Sequence, residues 1–308
     1  MTLEQYAEFS NYAVASATVV VALAFLAHVA EWGFARRPVK EPVGVAAGGA
    51  EVRDDTDELP PRSDVFARIG VSLATLATLI LLAGVVSRGL AAERVPWGNM
   101  YEFGVLGALI SLSVYLAFVL VAQVQWLGGM VTGFALMLLG LSMTTYVPAG
   151  PLVPALHSYW LVIHVAAMAI SGGLFLVGAA ASVLYLVKSR AEARGTVGPM
   201  LSRLPSLGGM DRIAYRVHAV SFPIWTFGAL IAGPIWAQYA WGRYWGWDPK
   251  EVWAFVTWVV YAGYLHARAT AGWRGKRAAY IALIGFVTFL FSFYGINLFG
   301  SGLHSYAK

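Results

Sequence analysis

The sequence predicts an all-α, polytopic membrane protein of about eight spans, on three observations. Hydrophobic residues make up 59% of the chain and charged residues 12%, with a mean hydropathy of +0.66, outside the range of soluble globular domains. Eight stretches are apolar for long enough to match the roughly 20 residues of helix that cross the hydrocarbon of a bilayer. Lys and Arg gather in alternate connections between those stretches, as they do when one set of loops stays in the cytoplasm.

The first span, 12–34, follows a leader that carries Glu4 and Glu8 and no Lys or Arg. Its apolar run is too long for the core of a secretory signal, so it is expected to be retained. Residues 38–65 contain Gly, Pro and both charge signs, and read as a mobile cytoplasmic loop. The chain then divides into a first transmembrane helix (1–37), that loop, and a seven-helix domain (66–308). Spans two to five are predicted at 66–90, 103–124, 126–147 and 159–187. A second cytoplasmic loop, 191–212, has room for one short amphipathic turn near 200–207. The last three spans fall at 215–236, 252–270 and 278–300.

Of the 21 Lys and Arg residues, 16 lie between spans one and two, five and six, or seven and eight. The positive-inside rule makes those connections cytoplasmic, so both termini and a tryptophan-rich external segment, 236–253, face outward. The net charge of +5 then reflects topology, and nucleic acid is not an expected partner. There are no cysteines, which excludes disulfides, thiol catalysis and thiolate ligation of a metal by this chain.

The external segment contains Trp241-Gly242-Arg243-Tyr244-Trp245-Gly246-Trp247-Asp248-Pro249-Lys250-Glu251. An aromatic belt at the membrane surface accounts for one or two such residues per helix end. Three indoles interleaved with glycines suit a flat, conjugated ligand of porphyrin size. The expected platform is Trp241, Trp245 and Trp247, with Trp236 and Tyr244 as further walls and Arg243 and Lys250 as partners for propionates. Asp248, Pro249 and Glu251 fit a structural rule, because Asp is a preferred N-cap, Pro a preferred first helical residue, and Glu three after the cap completes a capping box. The two acids are therefore assigned a capping role at the start of span seven.

Imidazole is a common ligand of haem iron. His164 lies one turn into span five, on the face of Trp160, and His304 just past span eight, after Gly300-Ser301-Gly302. Both are expected at the depth of the tryptophans, where they could hold haem iron from two sides. His157 reads as a loop residue and His218 as an interfacial one beside Arg216. His28, with Glu31 three residues on, lies at nearly the depth of His266 in span seven.

The tryptophan run resembles the signature of the haem-handling membrane proteins of cytochrome c biogenesis. Its continuation through Val252-Trp253-Ala254, with Tyr264-Leu265-His266-Ala267-Arg268, Gly272-Trp273-Arg274-Gly275 and Gly302-Leu303-His304-Ser305-Tyr306, is similar to the CcsA (ResC) branch. Asn99-Met100-Tyr101-Glu102 and Tyr159-Trp160-Leu161-Val162-Ile163-His164-Val165 belong to the same likeness, which runs from about Trp97 to the C-terminus and is weak before it. The resemblance implies a haem transport and presentation subunit of a system II cytochrome c synthase that handles haem b. His164 and His304 match the external haem ligands and His266 an intramembrane ligand completed by a CcsB (ResB) partner. The acceptor is an apocytochrome c with Cys-x-x-Cys-His. The expected location is a bacterial plasma membrane, with a thylakoid as the alternative. Two rival functions remain: a haem exporter without ligation activity, and an electron-transfer subunit holding haem between His28 and His266.

Overall fold

The computed structural model describes residues 1–35, 62–151, 156–300 and 302–304, the side chain of residue 298 excepted. Most of the predicted loop 38–65 lies outside the described residues. Among those described, every regular element is helical, as lipid demands of segments that must satisfy their own backbone. The helices are α1 (Leu3–Gly33), α2 (Arg62–Ala92), α3 (Met100–Ala122), α4 (Gly128–Thr144), α5 (Tyr159–Ala193), the short α6 (Pro199–Arg203), α7 (Leu207–Phe227), α8 (Gly233–Trp241), α9 (Pro249–Ala269), α10 (Lys276–Leu290) and α11 (Ile296–Phe299). A π-helical turn, Gly228–Ala232, joins α7 to α8, and another, Phe291–Gly295, joins α10 to α11. Seven of these runs are long and apolar enough to cross a membrane. The predicted seventh span, 252–270, forms α9 as expected but falls outside that group. Its His266 and Arg268, together with its Trp and Tyr residues, lower its hydropathy.

α5 is the central helix, and it is buried on nearly all sides from Ser171 to Leu184. Its small residues allow neighbours to approach closely. A Cβ on Gly172 would stand 2.5 Å from the Phe289 ring of α10, and one on Gly173 would stand 3.2 Å from Ile110 and Val114 of α3. α1 belongs to the same bundle. Its Val14, Ala17 and Val21 share a core with Ala77 and Leu81 of α2, Leu109 and Leu112 of α3 and Leu139 of α4, and Ser10 donates to the Gly84 carbonyl at 2.8 Å.

Asn99 caps α3 by accepting from the Glu102 N–H at 3.0 Å. The buried Glu102 carboxylate takes Arg88 Nε at 2.9 Å, Arg94 Nη1 at 2.8 Å and the Gly98 N–H at 2.7 Å. The Asn-Met-Tyr-Glu motif therefore ties the α2–α3 turn down next to the site described below. Removing one member of a buried ion network leaves uncompensated charge at a cost of about 3–5 kcal/mol. Glu102→Ala should accordingly lower the melting temperature of detergent-purified protein steeply, whereas Arg94→Lys should lower it less.

Candidate functional site: a tryptophan- and histidine-lined cavity

One large cavity opens where α3, α5, α8 and α9 converge with the segment after α11. It encloses about 1390 Å³ of non-atom space, a figure that includes the open mouth. His164, Trp236, Trp241, Trp245, Lys250 and His304 line one end; Phe134, Gly172, Gly173 and Phe289 line the other. Gly172 stands 14 positions beyond Ser158, the N-cap of α5, which at 1.5 Å per residue is a depth of about 20 Å.

Trp236 is the centre of the polar end. His164 stacks on it at 5.9 Å between ring centroids with 15° between planes. His304 meets it edge-on at 5.7 Å, and Trp241 at 4.8 Å. Trp241 and His304 are themselves 4.8 Å apart. One indole thus touches both predicted ligand histidines.

Each imidazole is oriented through Nδ1. His164 Nδ1 donates to the Gly228 carbonyl at 2.8 Å. That oxygen belongs to the first π-helical turn, where it also accepts from the Gly233 N–H. Pro234 has no N–H to return to the preceding turn, and the π turn widens the helix directly before it. π turns of this kind often mark functional sites, and the second one supplies Ser292, Phe293 and Tyr294 to the same cavity. His304 Nδ1 donates to Asp248 Oδ2 at 2.8 Å. Asp248 is the N-cap of α9, and with Glu251 it forms a capping box. Glu251 Oε2 accepts from Gly246 N–H at 2.8 Å and Asp248 N–H at 3.0 Å. Asp248 does more than cap, because its Oδ1 also accepts the Leu303 N–H at 2.7 Å. A Cβ on Gly302 would come within 2.3 Å of that oxygen, so only glycine lets the chain pass.

Burial pushes the His304 imidazole below its ordinary 6.5, with the Asp248 hydrogen bond partly opposing it. Burial would raise the Asp248 carboxyl, but the bonds from His304, Leu303 and Lys250 N–H hold it below 3.8. The unfolded chain therefore binds more protons than the folded one below pH 6.5, and the linkage makes this junction more stable as pH rises. Asp248 contributes fully above 3.8 and loses its contribution only in stronger acid.

Not every predicted site residue reaches the cavity. Trp247 adopts φ 57°, uncommon for a bulky residue. Its ring is 65% exposed and lies edge-on to Trp245 and Phe255. Arg243 is exposed on the outer turn, its guanidinium over Gly246, and Tyr244 is exposed as well. The run departs from a flat platform because Gly242, at φ 73°, ends α8 and turns the chain outward before Asp248 starts α9. His157 lies exposed ahead of α5.

His266 sits near the far end of α9 from Asp248 and is exposed on the outside of the bundle. His28 is buried, donating from Nδ1 to Glu31 at 2.9 Å, and packs against Gly70 and Gly128 and edge-on to Tyr115. The structure does not bring these two histidines together. His218 is not interfacial as expected. It is fully buried, because Gly178 of α5 leaves the ring a hollow that Phe175, Tyr261 and Tyr264 close. Among the described residues no group of three or more His, Asp or Glu could hold a bare metal ion.

The bundle is that of a polytopic membrane protein with two oriented imidazoles and a cluster of indoles in one cavity. The chain belongs to the family described as Cytochrome C assembly protein, which it matches over residues 97–304, and within it to the CcsA branch. It is 33% identical over 298 residues to Cytochrome c biogenesis protein CcsA of Gloeobacter violaceus, covering 80% of this chain and 88% of that one. It is 36% identical over 264 residues to CcsA of Guillardia theta (77% and 85%) and 36% identical over 288 residues to that of Synechococcus elongatus (77% and 87%). Among solved structures it shares the fold of Cytochrome c Heme Lyase CcmF, with a TM-score of 0.64 at 18% identity, covering 97% of this chain and 50% of that one. It therefore spans half the length of that lyase.

Asp248→Ala should lose about 1 kcal/mol of capping and also release His304. Glu251→Ala should weaken the cap and leave His304 held. Modification of His304 by diethyl pyrocarbonate, followed by mass spectrometry, separates them: the Asp248 variant should react much faster than the parent, and the Glu251 variant at close to the parent rate.

Proposed function

We propose that the cavity holds haem b between His164 and His304 and presents it, on the outer side of the membrane, for attachment to apocytochrome c. The observation that carries this reading is the matched pair of imidazoles. Both lie against Trp236, and both have Nδ1 engaged, by Gly228 and by Asp248. A hydrogen bond at Nδ1 selects the tautomer whose Nε2 carries the ligating lone pair and orients the ring, as the outer partners of metal-bound histidines do. The indoles supply flat surfaces for a porphyrin. Membership of a cytochrome c assembly family and the fold shared with a haem lyase agree with it.

In this reading the chain works by positioning. Each thiol of a reduced Cys-x-x-Cys-His adds its S–H across one vinyl group of the haem, forming a C–S bond and placing the proton on the other vinyl carbon. Holding thiols and vinyls together supplies effective molarity, and no residue of the cavity is needed as a dedicated acid or base. The activity belongs to a complex with a CcsB (ResB) partner in a bacterial plasma membrane, both termini of this chain facing outward.

Replacing either His164 or His304 with Ala should abolish cytochrome c maturation while leaving the protein inserted, and added imidazole should partly restore it by filling the vacated coordination position. Normal maturation in both single variants would sink the ligand assignment. The check is a maturation assay alongside the visible spectrum of the purified complex.

The inner end of the cavity favours an export step within the same function, since it reaches Gly172 and Gly173 well below the histidine level. His266 is proposed as the loading ligand. It is an exposed imidazole on α9, which suits a coordination site completed by a histidine of the partner. His266→Ala in complex with the partner should then deplete haem at the outer site too, whereas His164→Ala should leave haem at the inner one, as read by pyridine haemochrome. A full outer haem in the His266 variant would rule out the relay.

A further inference from the structure

Of the two basic residues that the sequence offers as partners for propionates, Arg243 and Lys250, the cavity is lined by Lys250 alone. Lys250 lies in the first turn of α9 and lines the cavity together with His164, Trp241, Trp245 and His304. Two carboxylates are nearby, and both are engaged. Glu251 accepts the Gly246 and Asp248 N–H groups, while Asp248 accepts from Leu303, His304 and the backbone N–H of Lys250 itself. Neither forms an ion pair with the Lys250 ammonium, which has no ion-pair partner among the described residues. Arg243, the other basic residue of the run, is on the outer surface. An ammonium in an apolar cleft loses hydration without recovering it from a partner, so its position is explained best by an anion that arrives with the ligand.

We propose that Lys250 binds a carboxylate of the porphyrin held in the cavity and thereby fixes which edge of the ring faces α9. The inference rests on reading the cavity as a haem site. Lysine serves here as a point charge for an anion. Two axial imidazoles fix the plane of the ring and leave it free to rotate about the iron. One anchored propionate removes that freedom. The propionates and the two vinyl groups occupy opposite halves of protoporphyrin, so holding the first beside Lys250 sets the second on the far side of the iron from α9. Lys250 is in this sense a positioning residue for thioether formation.

The test compares iron protoporphyrin IX with its dimethyl ester, which keeps the iron, the ring and the vinyls and lacks the charges. Both are titrated into the full-length protein in detergent and followed by the two-imidazole visible spectrum. The parent should bind the free acid about tenfold more tightly than the ester, the order expected of one charge-assisted hydrogen bond in a partly desolvated site. Lys250→Met should bring the acid down to the affinity of the ester and leave the ester unchanged, and Lys250→Arg should keep most of the preference. Equal affinities in the parent protein, a comparison that needs no variant, would overturn the anchor and leave the haem reading standing, as would a full preference retained in Lys250→Met. Failure of both porphyrins to give the two-imidazole spectrum would remove the haem reading and this inference with it.

Discussion

The Asp248 carboxylate is the contact on which the site depends. A single side chain starts α9, takes the Leu303 N–H and orients His304, joining segments 56 residues apart in sequence. Its ionisation is protected by three hydrogen bonds against the burial that would otherwise favour a proton. Without it the segment after α11 loses two hydrogen bonds at the mouth of the cavity, and the second imidazole loses the acceptor of its Nδ1 proton.

The two imidazoles are held by unlike partners. His164 donates to a neutral carbonyl made available by a π turn, and His304 to a carboxylate. A carboxylate partner raises the basicity of the ring more than a carbonyl does, so the pair is asymmetric in donor strength although both rings contact the same indole. The difference is also one of rigidity. His164 stands on the central helix, while His304 lies beyond the last helix, against the side chains of Asp248, Trp236 and Trp241.

Much of this was legible in the sequence, for reasons that can be named. Composition and apolar runs of helix length specify the fold class, and α9 keeps its predicted position even though its aromatic residues and its histidine dilute its hydropathy. The capping box at Asp248 follows from local chain chemistry, which acts within four residues and needs no tertiary knowledge. The second task of Asp248 did not follow, because its partner lies at the other end of the domain. The spacing of the tryptophans suggested one platform, but spacing carries no information about φ, and the positive φ values of Gly242 and Trp247 turn part of the run away. His218 looked interfacial beside Arg216. Only the missing side chain of Gly178, on another helix, explains how the ring can be buried.

The order in which the cavity wall is synthesised has a consequence for biogenesis of the protein itself. His164, Gly228 and Trp236 come from α5 to α8, so one half of the clasp exists once those segments have entered the bilayer. The other half needs α9 for its carboxylate and the residues beyond α11 for its imidazole. A nascent chain has only one of the two imidazoles in the cavity wall until its last helix has been inserted. A molecule with a misinserted final hairpin therefore lacks the second imidazole and the carboxylate that orients it.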